Sequence, residues 1–218
     1  MKAIVTARPG DFSLVERPVP EPAEDEVRLK IASAGICRND LRIQKGIHES
    51  INYPLIPGHQ FSGVVDACGS AVKFAKRGDK AAVHSYVVCG QCAACRIGDT
   101  HYCDTLKTLG FNLDGGFAQY SVLPERNLFK LPDNVNLHEG AMVENLANAV
   151  AVMGQSDLKT GKSVAIIGAT PIGLMALQVA RLSSPSTIVL VGSGNNRLRL
   201  GQGLGADHII DVNKSGYA

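Results

Sequence analysis

The apolar positions change period once along the chain, and that change divides it. Up to about residue 130 they come in short runs with a period of two. In VRLKIASAG (27–35), Val27, Leu29 and Ile31 fall on one face, as in a half-buried strand. FSGVVDAC (61–68), KAAV (80–83) and FAQYSVLP (117–124) read as further strands. Turn-forming stretches separate them at PVPEPAEDE (18–26), KRGDK (76–80) and LDGG (113–116). The first region is therefore expected to be an all-β barrel or sandwich.

From about residue 139 the runs lengthen. HEGAMVENLANAVAVMG (138–154) has helical character and ends at Gly154. KSVAIIG (162–168), TIVLVG (187–192) and DHIID (207–211) read as strands, with helices over PIGLMALQVARL (171–182) and NRLRLGQGLG (196–205) between them. Strand, helix, strand, helix, strand is the pattern of a parallel doubly wound sheet. The predicted fold class is α/β overall: a β domain over 1–138, then a connecting helix and the first half of a Rossmann nucleotide-binding domain over 139–218.

Bulk properties narrow the function. With 45% hydrophobic and 19% charged residues the chain reads as globular, neither disordered nor fibrous. A formal charge of +2 and the lack of any long Lys/Arg run argue against a nucleic-acid surface. The most membrane-like window, 164–180, is interrupted by Gly168, Thr170, Pro171, Gly173 and Gln178, and reads as one buried strand and its following helix. Arg8-Pro9-Gly10 interrupts the N-terminus before an export signal could form, so the expected location is the cytoplasm, where structural disulfides are rare.

That expectation bears on CGQCAACRIGDTHYC (89–103), which holds four of the six cysteines. Disulfides, an iron–sulfur cluster and zinc compete for it. Cys89, Cys92, Cys95 and Cys103 give C-x2-C-x2-C-x7-C. Ferredoxin spacing continues x3-C-P instead, and here Asp104 follows a later fourth cysteine. Structural zinc is the expected occupant, because short gaps turn neighbouring thiolates onto one ion and four of them close its shell. Cys68 has no assigned role and is expected to be buried in its strand.

The second candidate is Gly168-Ala169-Thr170-Pro171-Ile172-Gly173, at the first strand-to-helix turn. Glycines there allow a tight turn and close approach of pyrophosphate to a helix N-terminus. Thr170 stands at the middle glycine of the usual G-x-G-x-x-G. The second strand ends in Gly192-Ser193-Gly194-Asn195-Asn196-Arg197, without the acidic residue that grips the ribose of NAD. Arg197 could attract a 2′-phosphate, so NADP is favoured over NAD.

GICRND (35–40), PGHQFSGVV (57–65), the cysteine lobe, DGGFAQY (114–120), ENLANAV (144–150) and GATPIGL (168–174) follow one another in order. The set resembles the zinc-dependent medium-chain alcohol and polyol dehydrogenases, closest to their sorbitol and sugar-phosphate branch. The resemblance covers essentially the whole chain and implies a GroES-like β domain, a Rossmann domain and an active site between them. It implies that Cys37, His59 and Glu144 hold a second, catalytic zinc, a Lewis acid toward an alcohol, polyol or sugar-phosphate oxygen. Asp40 would orient the His59 ring, and Arg38 would contact the cofactor pyrophosphate. Asn39 stands where the family has a proton-relaying Ser or Thr, Arg42 where many relatives have His, and Gln60 where Glu is common. Family members also continue beyond the third strand of the nucleotide domain, so an apolar sheet edge and face are expected to be exposed. Two functions remain in view: an oxidoreductase that assembles as a homo-oligomer, or a catalytically inactive, zinc-stabilised domain that binds a nucleotide or a partner.

Overall fold

Alternation in the first region does produce strands. The computed structural model describes residues 1–48 and 51–214. A hairpin of β1 (Lys2–Thr6) and β2 (Phe12–Glu16) opens the chain. It is followed by β3 (Glu26–Gly35), a short helix α1 (Arg38–Gln44), β4 (Gln60–Cys68), β5 (Lys80–Val83) and β6 (Tyr86–Val87). Then come α2 (Ala93–Arg96), β7 (Lys107–Thr108), β8 (Tyr120–Pro124), β9 (Leu128–Lys130) and α3 (Leu137–Gly140). Five of these strands form one antiparallel sheet in the order β8-β3-β4-β5-β9. Its inner face carries the fully buried Val27, Leu29, Phe61, Val65, Ala81 and Leu123.

The later chain contributes α4 (Val143–Gln155), β10 (Ser163–Ile167), α5 (Pro171–Arg181), β11 (Thr187–Gly192), α6 (Asn195–Gly203) and β12 (His208–Asp211). β10, β11 and β12 are parallel and adjacent in that order, as in the opening strands of a doubly wound sheet. Leu174, Leu177 and Ala180 of α5 pack against Ile188 and Leu190 of β11. Two compact units result, one ending at Glu144 and the other beginning at Asn145. Among the described residues no helix is long and apolar enough to cross a membrane. β10 lies at one edge of its sheet, and its Ile167 is 86% exposed.

Two expectations need correction. The helix expected over 138–154 is two helices with a break at Ala141 and Met142. A capping box of Asn136 and Glu139 starts α3, and Gly140 then packs tightly against Leu131 and Ser62. Tertiary contact thus overrides a continuous helical pattern. Cys68 is exposed: it is the last residue of β4, where the strand leaves the sheet.

What matters for the site is a clamp of backbone on backbone. The amides of Gly115, Gly116 and Phe117 donate to the carbonyls of Ile56 (2.7 Å), Gly58 (2.8 Å) and Pro57 (2.9 Å). Asp114 adds a side-chain bond, accepting from the Ile56 amide at 2.9 Å. Gly58 takes φ +93°, and a Cβ there would lie 2.6 Å from the Phe117 ring. A Cβ on Gly115 would meet the Gly58 carbonyl oxygen at 2.1 Å. Gly115→Ala should therefore destabilise the protein by about 1–3 kcal/mol, since backbone must shift. Gly154→Ala, near the end of α4 with nothing within 4 Å of its Cβ, should be neutral or stabilising by up to about 1 kcal/mol. Urea unfolding of both variants checks the contrast, and equal destabilisation by the two would contradict it.

Candidate metal and nucleotide sites

The turn held by this clamp delivers His59 to the N-terminus of α1. Cys37 is the N-cap residue of that helix: its Sγ accepts from the Asn39 amide at 3.2 Å, and its own amide donates to Asp40 Oδ2 at 2.7 Å. This is a capping box with a thiol in place of the usual hydroxyl. Asp40 and His59 are 2% and 4% exposed. His59 Nε2 lies 3.4 Å from Cys37 Sγ, and His59 Nδ1 lies 3.7 Å from Asp40 Oδ1. Both of the latter atoms are buried without a hydrogen-bond partner, and they face each other.

Burial alone would lower the His59 pKa. The Asp40 carboxylate and the Cys37 thiol outweigh it and raise the imidazole to about 10. The pocket therefore favours a positive charge between sulfur and nitrogen. A metal dication meets the same demand. Tetrahedral zinc would set one N and one S ligand about 3.5 Å apart, close to the separation seen. Ligand atoms of Cys37, Asp40 and His59 all lie within 4.8 Å of one another.

Glu144, in the first turn of α4, is not a member of that tight set. Its Oε2 accepts from Gln60 Nε2 at 2.7 Å. It does line, with Asn39 and His59, a cavity of about 270 Å³. His48, Ser85, Tyr86, Thr108, Phe111 and Asn112 complete the wall. Sequence reasoning missed all six: His48 comes from the segment after α1 and the other five from β6, β7 and the residues beside them, and none belongs to a motif. Phe111 packs against both imidazoles, at 4.8 Å from His48 and 5.0 Å from His59. Arg38 and Arg42 are exposed on α1 and do not line the cavity.

The four cysteines of the lobe converge as well, with all Sγ atoms within 4.8 Å. Cys89 Sγ accepts from the amides of Gln91 (3.4 Å) and Cys92 (3.3 Å), and Cys103 Sγ from the amide of Cys89 (3.3 Å). Those amides bring the Cys89 thiol down to about 6. Desolvation and the crowding thiols push Cys95 up to about 12. Four sulfurs at this spacing cannot all ionise without a cation among them. The Cys89–Cys95 separation of 4.0 Å is near the edge of about 3.8 Å expected for a zinc–thiolate tetrahedron.

In the second unit, Gly168 adopts φ +115° after β10 and turns the chain into α5. A Cβ on Gly173 would be 2.0 Å from the Gly168 carbonyl, so the helix start and the turn share that space. Thr170 is the N-cap, accepting from the Gly173 amide at 3.2 Å, and Pro171 takes the first helical position. Ile172 is 39% exposed. Gly192 ends β11 so close to Ala169 that a Cβ would meet it at 2.9 Å. Ser193 follows, and the Arg197 guanidinium lies over Gly194, about 3.4 Å from where a Cβ would stand. One carboxylate escaped the sequence reading: Asp211 of β12 stands beside Gly192 in the parallel register, with Lys214 at 3.9 Å.

The chain is similar to known proteins. The alcohol dehydrogenase GroES-like domain family matches residues 23–133. The starvation-sensing protein RspB of Escherichia coli K12 is 37% identical over 212 residues, covering 97% of this chain and 62% of RspB. The crystal structure of a protein described as a putative zinc-binding dehydrogenase, from Sinorhizobium meliloti 1021 and bound to NADP, superposes with a TM-score of 0.92 at 33% identity, over 96% of this chain and 61% of that one. Galactitol-1-phosphate dehydrogenase from Escherichia coli gives a TM-score of 0.90 at 33% identity, over 98% and 62%. The chain thus spans about three fifths of the length of these relatives. With the GroES-like match covering half of it, the chain belongs to the zinc-type medium-chain alcohol dehydrogenase family.

Proposed function

We propose that this chain carries the metal- and cofactor-binding elements of a zinc-dependent oxidoreductase that moves a hydride between an alcohol or polyol, including sugar or sugar-phosphate alcohols, and NADP or NAD. The observation that carries the reading is the buried His59 ring set between Cys37 Sγ and Asp40. A buried imidazole, thiol and carboxylate around one point have little purpose in a core that lacks a cation. Relatives support it: one is described as zinc-binding with NADP, another as acting on galactitol 1-phosphate.

In this reading Cys37, His59 and Glu144 hold the catalytic zinc, and Cys89, Cys92, Cys95 and Cys103 the structural one. When bound, the catalytic ion would supply Lewis-acid polarisation of a substrate oxygen and the nicotinamide cofactor would supply the hydride chemistry. The chain's own residues do the rest. Asp40 faces Nδ1, which fixes the ring so that Nε2 looks toward Cys37. Asn39 offers the substrate an amide that both donates and accepts, but it does not exchange a proton as a hydroxyl relay would. The polar wall of Ser85, Thr108 and Asn112 suits a substrate with several hydroxyls. At the start of α5 the Gly168–Gly173 turn receives the pyrophosphate. Ser193 and Arg197 meet the adenosine ribose, and Arg197 favours a 2′-phosphate. We assign the enzyme to the cytoplasm, as a homo-oligomer.

Purified without chelator, the protein should contain two zinc ions per chain by atomic emission, falling to one in Cys37→Ser. One ion in both proteins would sink the catalytic assignment and favour a zinc-stabilised binding domain without turnover. Arg197→Ala should weaken NADPH binding by roughly tenfold, the loss of one charge-assisted contact, and leave NADH nearly unchanged. Fluorescence titration with each nucleotide reads this directly. Equal loss for both would remove Arg197 from 2′-phosphate recognition.

A further inference from the structure

Gln60 follows the candidate ligand His59 and is 5% exposed, although its side chain is an uncharged amide. Its two ends are used differently. Nε2 donates to Glu144 Oε2 at 2.7 Å across 84 residues of sequence. Oε1 turns the other way, toward Gly35, the residue paired with Gln60 between β3 and β4. A Cβ on Gly35 would stand 3.2 Å from that oxygen, so the glycine leaves room for this rotamer. A carboxylate oxygen accepts, so the nitrogen end of the Gln60 amide is the one that faces Glu144.

We infer that Gln60 is a positioning residue for Glu144: its amide nitrogen holds the carboxylate in the wall of the cavity that His59 also lines. The inference rests on the assignment of a metal to that pair. Because an amide is neutral, the tether also keeps a second carboxylate out of the site. One thiolate and one carboxylate then balance a dication.

The experiment is a double-mutant cycle on zinc affinity of the Cys37 site, measured by competition with a chromophoric chelator in wild type, Gln60→Leu, Glu144→Gln and the double variant. The four-cysteine site, which should stay loaded in all four, reports that the β domain remains folded. Each single substitution should weaken the Cys37 site by roughly 10–100-fold. The double variant should be no weaker than the worse single variant, because Gln60 acts through Glu144. Losses that multiply, or a Gln60→Leu protein with unchanged affinity, would overturn the inference alone. A wild-type protein that takes up a single ion overturns the metal assignment, and this inference with it.

Discussion

Three hydrogen bonds between backbone segments, from Gly115, Gly116 and Phe117 to the carbonyls of residues 56–58, decide where His59 can be. Side chains could not do this. At Gly58 the chain needs a positive φ, and at Gly115 it needs a residue without a Cβ, since the two main chains touch. The clamp sets the ring beside α1, and the capping of α1 by Cys37 and Asp40 uses the same two side chains that flank the ring. Helix start and candidate metal pocket are therefore one piece of geometry. Neither can be altered while the other is kept.

The two clusters of candidate ligands are built on opposite plans. In the cysteine lobe the ligands come from 15 consecutive residues, and backbone amides aimed at sulfur tune the thiols locally. Around His59 the groups come from α1, from the turn before β4 and from α4, and only tertiary structure brings them together. The first plan suits a staple and the second a site whose members must answer to several elements at once.

This difference also explains what could be read from the sequence. The lobe was legible because its information is spacing. β3, β4 and the three parallel strands were legible because alternation or continuous apolarity marks them, and β11 was placed at its observed ends. The helix α1 was not: it has seven residues, only Asp40 and Ile43 of them buried, and a cysteine cap that no helix-start rule anticipates. The turn LDGG was visible as a turn, but its partner, the Gly58 segment, was not. Cys37 and His59 are 22 residues apart and Gln60 and Glu144 are 84, so no local pattern joins them. Only the ordered set of short motifs pointed there. Asp211 was missed because strand register, not sequence distance, sets it beside Gly192.

Thr170 gives the nucleotide turn a character of its own. Its hydroxyl oxygen already accepts from the Gly173 amide, and Pro171 has no amide hydrogen to offer. Of the first three helical positions, only Ile172 keeps an uncommitted backbone donor toward the helix end. A hydroxyl that accepts one bond still has its own hydrogen to give. The threonine thus exchanges a fixed peptide dipole for a rotatable one, so an anion at the end of α5 would meet a donor that can turn to follow it.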